Sequence, residues 1–262
     1  MSPAREARNV GGVHFLTIAP RFCGPPGTAN GGYASGLLAQ HAQGIVRVRL
    51  ERPVPLEREL EVHELADGIL ELRDRDDRIA LAEPTTLDLA VPTAPSYLEA
   101  VEASRRYVGL HGHVFPRCFV CGPERARADG LRIFAGSLAA SGDPASRDQA
   151  PAEPAHPVAT VAAPWVPDIA LGAPDGKIRP EFMWAALDCP GYFAARSDGV
   201  PMLLASFTAH VDRRVHVDES CVVVGWRIRG EGRKQEVGTA LFDDDGELCA
   251  QAHALWIEPR KA

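Results

Sequence analysis

Residues 177–196, KIRPEFMWAALDCPGYFAAR, restrict the fold of this 262-residue chain more than any other stretch. From Phe182 to Leu187 every side chain is apolar, and a helix that is hydrophobic all round has to be wrapped by protein. A single carboxylate, Asp188, interrupts the run. An ionisable group on a wrapped helix is costly unless it is paired or put to use. Pro190 and Gly191 follow, so Asp188 also reads as a residue that caps or ends the helix, because proline cannot continue its hydrogen-bond ladder. The stretch by itself leaves both readings open.

The rest of the chain has globular composition, with 45% hydrophobic and 24% charged residues. Its length suits one large domain or two ordinary ones. A formal net charge of -7 argues against nucleic acid or an anionic membrane as the main partner. No apolar run approaches the length of a bilayer span. The start, with Arg5 and Arg8 before a short patch broken by His14 and two glycines, does not read as a signal peptide. Six cysteines in mostly hydrophobic surroundings read as reduced thiols of a cytoplasmic protein.

Residues 13–22 read as a first strand, and the turn CGPPGTANGG opens a short helix at about Tyr33–Gln43. Strand-like runs follow at 45–50, 60–65, 69–73 and 79–89, separated by turn signals such as Arg52-Pro53-Val54-Pro55. A short linking helix is expected around 97–107. A second unit begins near His111, with a strand at 131–134. Residues 139–157 have almost no large apolar group to offset their ordering entropy, which predicts a mobile loop. A strand at 158–165, the Phe182 helix, and runs at 202–211, 221–229, 235–242 and 248–257 complete the chain. Asp243-Asp244-Asp245-Gly246 makes the turn of the last hairpin.

Strand, helix and four strands thus occur twice. Laid over each other, Asn30-Gly31-Gly32 falls on Arg179-Pro180-Glu181, Ala39 on Asp188, and Arg52–Pro55 near Arg213–His216. Long antiparallel meanders around one apolar helix predict an α+β architecture, each sheet wrapping its own helix.

A Gly-Gly pair at a helix start, with an acid two turns on, resembles the hotdog fold of acyl-CoA thioesterases. The second half is similar to the phenylacetate-pathway type, through Cys118-Phe119-Val120-Cys121-Gly122, Gly130-Leu131 and Leu187-Asp188. The first half is similar to the amino-terminal half of double-hotdog thioesterases, through Gly31-Gly32 and Arg52-Pro53-Val54-Pro55. The resemblance covers nearly the whole chain and implies a tandem (double) hotdog, with repeats at 1–108 and 109–262. It also implies a substrate, acyl-CoA or acyl-carrier-protein thioester, with coenzyme A only as part of that substrate and no separate cofactor. Association into a homodimer is compatible with it.

In single-hotdog dimers of that family, the Gly-Gly helix start of one subunit faces the acid of the other. Here the first half keeps Asn30-Gly31-Gly32 but has Ala39 in place of the acid. The second keeps Asp188 but has Pro180-Glu181 in place of the glycines. One composite site therefore retains both parts.

The resemblance implies that the Gly31 and Gly32 N–H groups bind the thioester carbonyl, where a helix start offers unpaired donors and partial positive charge. Asp188 would serve as general base on water or as nucleophile. Asn30 would orient substrate or water, or only cap the helix. Gly32 and Gly36 also read as allowing close helix–sheet packing. Thr208 and Ser206 are the candidate hydroxyl partners, and Arg213 and Arg214 are expected either to meet the coenzyme A phosphates or, as exposed arginines usually are, to be simply solvated.

Some double-hotdog thioesterases add a catalytic Gln, where this chain has Ala254 flanked by His253. That departure keeps a non-catalytic acyl-thioester binding protein as the alternative. A dehydratase on the same fold is disfavoured, because the first half lacks the His–Gly spacing of that family and Tyr192 stands four residues after Asp188. No Gly-x-Ser-x-Gly elbow, P-loop or dinucleotide fingerprint is present. His111, His113, Cys118 and Cys121 have zinc-compatible spacing (HxHx4CxxC), but a lone CxxC is weak and no metal is assigned on that basis.

Overall fold

The computed structural model describes residues 8–10, 13–138, 160–195 and 201–259. Its first half runs β1 (Arg8–Val10), β2 (Val13–Thr17), α1 (Gly31–Ala39), β3 (Val46–Leu50), β4 (Glu59–Glu64), β5 (Leu70–Asp74) and β6 (Asp77–Pro84). Then come α2 (Tyr97–Ser104) and β7 (Gly136–Ser137). The second half runs β8 (Thr160–Trp165), α3 (Pro180–Ala195), β9 (Leu203–Val211), β10 (Cys221–Glu231), β11 (Lys234–Phe242) and β12 (Leu248–Ile257). The order of strand, helix and four strands is present twice.

The two meanders form one sheet, where two were expected. Its order is β1-β2-β4-β5-β6-β3-β9-β12-β11-β10-β8-β7. The join is β3 against β9, antiparallel, with Arg47 opposite Thr208 and Val48 opposite Phe207. In β3 the alternation Val46, Arg47, Val48, Arg49 turns the valines inward and the arginines to solvent, as a strand with one face covered requires. Pairing the two open edges removes the exposed backbone that each half would present alone.

The central helix is longer than its sequence suggested. α3 continues through Pro190 to Ala195, so Asp188 lies inside it and does not end it. Proline removes the N–H that would reach the Ala186 carbonyl. The surroundings compensate, since every residue from Glu181 to Ala195 is buried. The sheet comes close enough that a β-carbon on Gly225 of β10 would fall 2.5 Å from the Pro190 carbonyl oxygen.

α2 is held by a reciprocal cap between Ser96 and Glu99. It precedes residue 109, yet its Ala100 and Ala103 pack into a second apolar cluster with Ala162, Val222, Val224 and Phe242 of the second half. The expected strand at 131–134 does not form. The Leu131 and Ile133 N–H groups donate to the carbonyls of Phe119 and Val120, which lie in a loop, so no strand edge is there to extend a ladder. The expected mobile loop at 139–157 lies outside the described residues. Among the described residues no helix is long and apolar enough to cross a membrane, and all six cysteines are free thiols.

Candidate active site between the two long helices

The start of α1 is fixed by its neighbours. Asn30 caps the helix, its Oδ1 accepting from the Tyr33 N–H at 2.9 Å, and its own N–H donates to the Phe22 carbonyl. Tyr33, Phe22, Phe119 and Phe182 pack ring on ring around this turn, with the Phe22 and Tyr33 centroids 4.3 Å apart. The Ala29 N–H donates to the Val54 carbonyl at 2.8 Å, which ties the Arg52–Pro55 turn to the same place.

α1 then runs antiparallel to α3 at a distance that only glycine allows. A β-carbon on Gly32 would lie 2.5 Å from the Asp188 β-carbon and 2.9 Å from the Trp184 carbonyl oxygen. One turn on, a β-carbon on Gly36 would lie 2.8 Å from the Trp184 β-carbon and 2.9 Å from the Glu181 α-carbon. These glycines serve helix–helix packing, where helix–sheet packing was expected.

That approach brings Asp188 to the start of α1. Its Oδ2 accepts from the Asn30 amide at 2.7 Å and from the Gly32 N–H at 3.0 Å. Its Oδ1 has no partner among the described residues. The side chain is 2% exposed. Burial pushes the carboxyl pKa up, to about 7; the Gly32 N–H opposes the rise, negative charge on Cys118 would add to it, and the Asn30 amide opposes it. Asn30 thus caps α1, as one of its two readings had it, and its amide also donates to the acid, a contact that neither reading foresaw. Replacing it separates the two. Asn30→Ser keeps a capping oxygen and removes the amide, whereas Asn30→Ala removes both. Thermal melts should rank wild type above Ser above Ala, with Ala losing about 1–2 kcal/mol from the cap alone.

Asp188 sits at the inner end of a cavity of about 400 Å³. Gly31, Leu50 and Leu204 wall it, and Arg52, Arg233 and Glu258 stand at its solvent end. The Gly31 N–H has no acceptor among the described residues. Trp256 also lines the cavity, and its buried indole N–H has no partner among the described residues.

Solved structures of similar shape are known, although no protein-family model and no curated protein matches the chain. The tesB protein of Mycobacterium avium subspecies paratuberculosis superposes with a TM-score of 0.59 at 16% identity, covering 97% of this chain and 96% of that one. A conserved protein of unknown function with a hot dog fold, from Alicyclobacillus acidocaldarius, gives 0.59 at 10% identity, covering 98% and 97%. The chain has the hotdog fold.

Of the residues singled out in the sequence, the hotdog core brings Asn30, Gly31, Gly32 and Asp188 together. It does not bring Thr208, Arg213 or Arg214 to the cavity. Phe207 packs against Trp184 of α3, so its neighbour Thr208 points to the opposite face of the sheet, in register with Arg47 and His253. Arg213 is paired with Asp243, and Arg214 with Asp175. Gly32 departs from expectation in a second way, because its N–H is taken by Asp188 and only that of Gly31 is left for a ligand.

The mirror-image position on α1 and α3 lacks both parts of such a site, with Ala39 in place of the acid. Pro180 and Glu181 stand where the glycines would be, and the Glu181 carboxyl group accepts from the Gln40 side chain at 3.2 Å. Arg52, Arg233 and Trp256 line the cavity and were not singled out as binding groups. Arg52 was visible only as part of its Arg-Pro-Val-Pro turn, and Arg233 follows Gly232 in the β10–β11 hairpin. Nothing in the local pattern of β12 separates Trp256 from an ordinary core residue.

Proposed function

We propose that the protein is a tandem double hotdog that hydrolyses an acyl thioester, of coenzyme A or of an acyl carrier protein, at one composite site. The observation that carries this reading is the Asp188 carboxyl group from the second half, held against the first turn of α1 from the first half at the inner end of a cavity. The overall shape shared with the tesB protein supports it.

The acyl thioester enters with its carbonyl oxygen toward the Gly31 N–H. There the positive end of α1 stabilises negative charge as it develops on that oxygen. Asp188 Oδ2 is held by two donors, which leaves Oδ1 for chemistry. As general base it takes a proton from water attacking the carbonyl carbon; as nucleophile it forms an anhydride that water then cleaves. Either way the thiol leaves and a carboxylic acid remains. The walls of Leu50 and Leu204 suit an apolar acyl group, and the chemistry needs no cofactor beyond the coenzyme A of the substrate.

The direct experiment is thiol release from a panel of acyl-CoAs, read with a thiol reagent. Turnover of at least one member is expected. If acyl-CoA binds and none is cleaved, the protein is an acyl-thioester binding protein. The panel also tests the rim. If Arg52 and Arg233 meet the phosphates, Arg52→Ala with Arg233→Ala raises KM with little change in kcat, as loss of uniform binding does. The effect should shrink as salt is added.

A further inference from the structure

Three thiols converge beside the cavity, and hydrolysis as proposed gives them no role. Cys118 and Cys121 come from the loop after α2, and Cys189 from α3; their sulfur atoms all lie within 4.8 Å of one another, and all three side chains are buried. Cys118 Sγ and Cys189 Sγ are 3.7 Å apart. Sulfurs at the corners of a tetrahedron with zinc–sulfur bonds of ~2.3 Å stand about 3.8 Å apart. Buried thiols are ordinary core residues when they are scattered, as Cys221 and Cys249 are here. Convergence from two distant segments onto one point is different.

The loop around them is built to aim these sulfurs. The Gly122 N–H donates to the Cys118 carbonyl at 2.9 Å, and a β-carbon on Gly122 would lie 2.5 Å from that same oxygen. Only glycine closes this turn, which sets Cys118 and Cys121 on one side. His113 completes the arrangement. Its Nδ1 accepts from the Phe115 N–H at 2.8 Å, which leaves the ring proton on Nε2, 3.3 Å from Cys121 Sγ. The histidine therefore acts as a donor that holds one sulfur and is not itself a ligand.

Residues 111–135 contain turns but neither helix nor strand, yet Phe119, Val120 and Ile133 within them are fully buried. A long irregular segment packed this deeply is uncommon without a staple.

The geometry points to a zinc(II) ion held by the sulfurs of Cys118, Cys121 and Cys189, pinning the 111–135 loop to α3. Binding releases three thiol protons and forms three zinc–thiolate bonds. All three cysteines line the cavity, and water from it would fill the fourth coordination position. The ligand set differs from the histidine-containing spacing visible in sequence, because Cys189 lies far along the chain and His111 is exposed. This inference is independent of the thioesterase reading.

The test is titration of reduced, metal-free wild-type protein with zinc(II), alongside cobalt(II) as a spectroscopic probe. One zinc per chain is expected, with the cobalt–thiolate charge-transfer band and the d–d bands of tetrahedral coordination. Cys118→Ser and Cys189→Ser should each weaken binding by more than about 100-fold, and His113→Ala by about 10–100-fold with stoichiometry kept. Cys221→Ser with Cys249→Ser should leave binding unchanged. Should the cluster variants fail to fold, the wild-type stoichiometry and cobalt bands decide alone. Sub-stoichiometric zinc with no cobalt–thiolate band overturns the proposal. Zinc bound as tightly by a folded Cys189→Ser variant overturns it too.

Discussion

Asp188→Asn is expected to lower kcat for thioester hydrolysis by about 10²–10⁴-fold, the usual contribution of a positioned general base. The expectation is sharp because the substitution preserves almost everything else. An asparagine carbonyl oxygen can stand where Oδ2 stands and accept from the Asn30 amide and the Gly32 N–H. The amide nitrogen replaces Oδ1, which has no partner among the described residues to lose. The contact with α1 is made by the Asp188 β-carbon, which asparagine keeps. Loss of rate with an unchanged circular dichroism spectrum would separate chemistry from folding. A variant that turns over at wild-type speed removes Asp188 from the mechanism.

Gly32→Ala should be damaging for a different reason. The added methyl group would meet the Asp188 β-carbon at 2.5 Å and the Trp184 carbonyl oxygen at 2.9 Å, and the oxygen belongs to a buried helix backbone that cannot swing aside. The two helices have to separate, at a cost of about 1–3 kcal/mol. Separation also pulls the Gly32 N–H from Asp188, so activity falls with stability. Gly31→Ala provides the contrast. Its methyl group would meet the Leu204 and Leu50 side-chain ends at 2.8 Å and 3.1 Å, and those can give way. Denaturant midpoints should therefore rank wild type, then Gly31→Ala, then Gly32→Ala. A Gly32→Ala protein as stable as wild type would mean that the helices are not in the contact described here.

Where the chain repeats itself, the sequence was readable. The Asn30-Gly31-Gly32 start and the lone acid on an apolar helix carried their meaning in residue type: small residues, a cap, and a carboxylate with nowhere exposed to go. The end of α3 was not readable. Pro190 breaks a helix in isolation, and only the enclosing sheet keeps the turn after it helical. Residues 131–134 failed for the opposite reason. Their alternation is strand-like, but they bond to loop carbonyls.

Residues that depend on direction were also out of reach. Thr208 follows Phe207, and one step along a strand moves a side chain to the other face. Arg213 and Arg214 looked free, but Asp243 and Asp175, distant in sequence, neutralise them. Arg52 and Arg233 reach the cavity end from different halves, which no local pattern reveals. The thiol cluster was half visible as Cys118-x-x-Cys121, and its third member belongs to the helix that carries the acid.

The most direct test is the structure of the Asp188→Asn variant bound to an acyl-CoA. The thioester carbonyl oxygen should lie about 2.7–3.1 Å from the Gly31 nitrogen, with the carbonyl carbon facing the side chain at position 188 and the coenzyme A leaving past Arg52 and Arg233. A thioester group bound away from the start of α1 would contradict a shared site between the two halves.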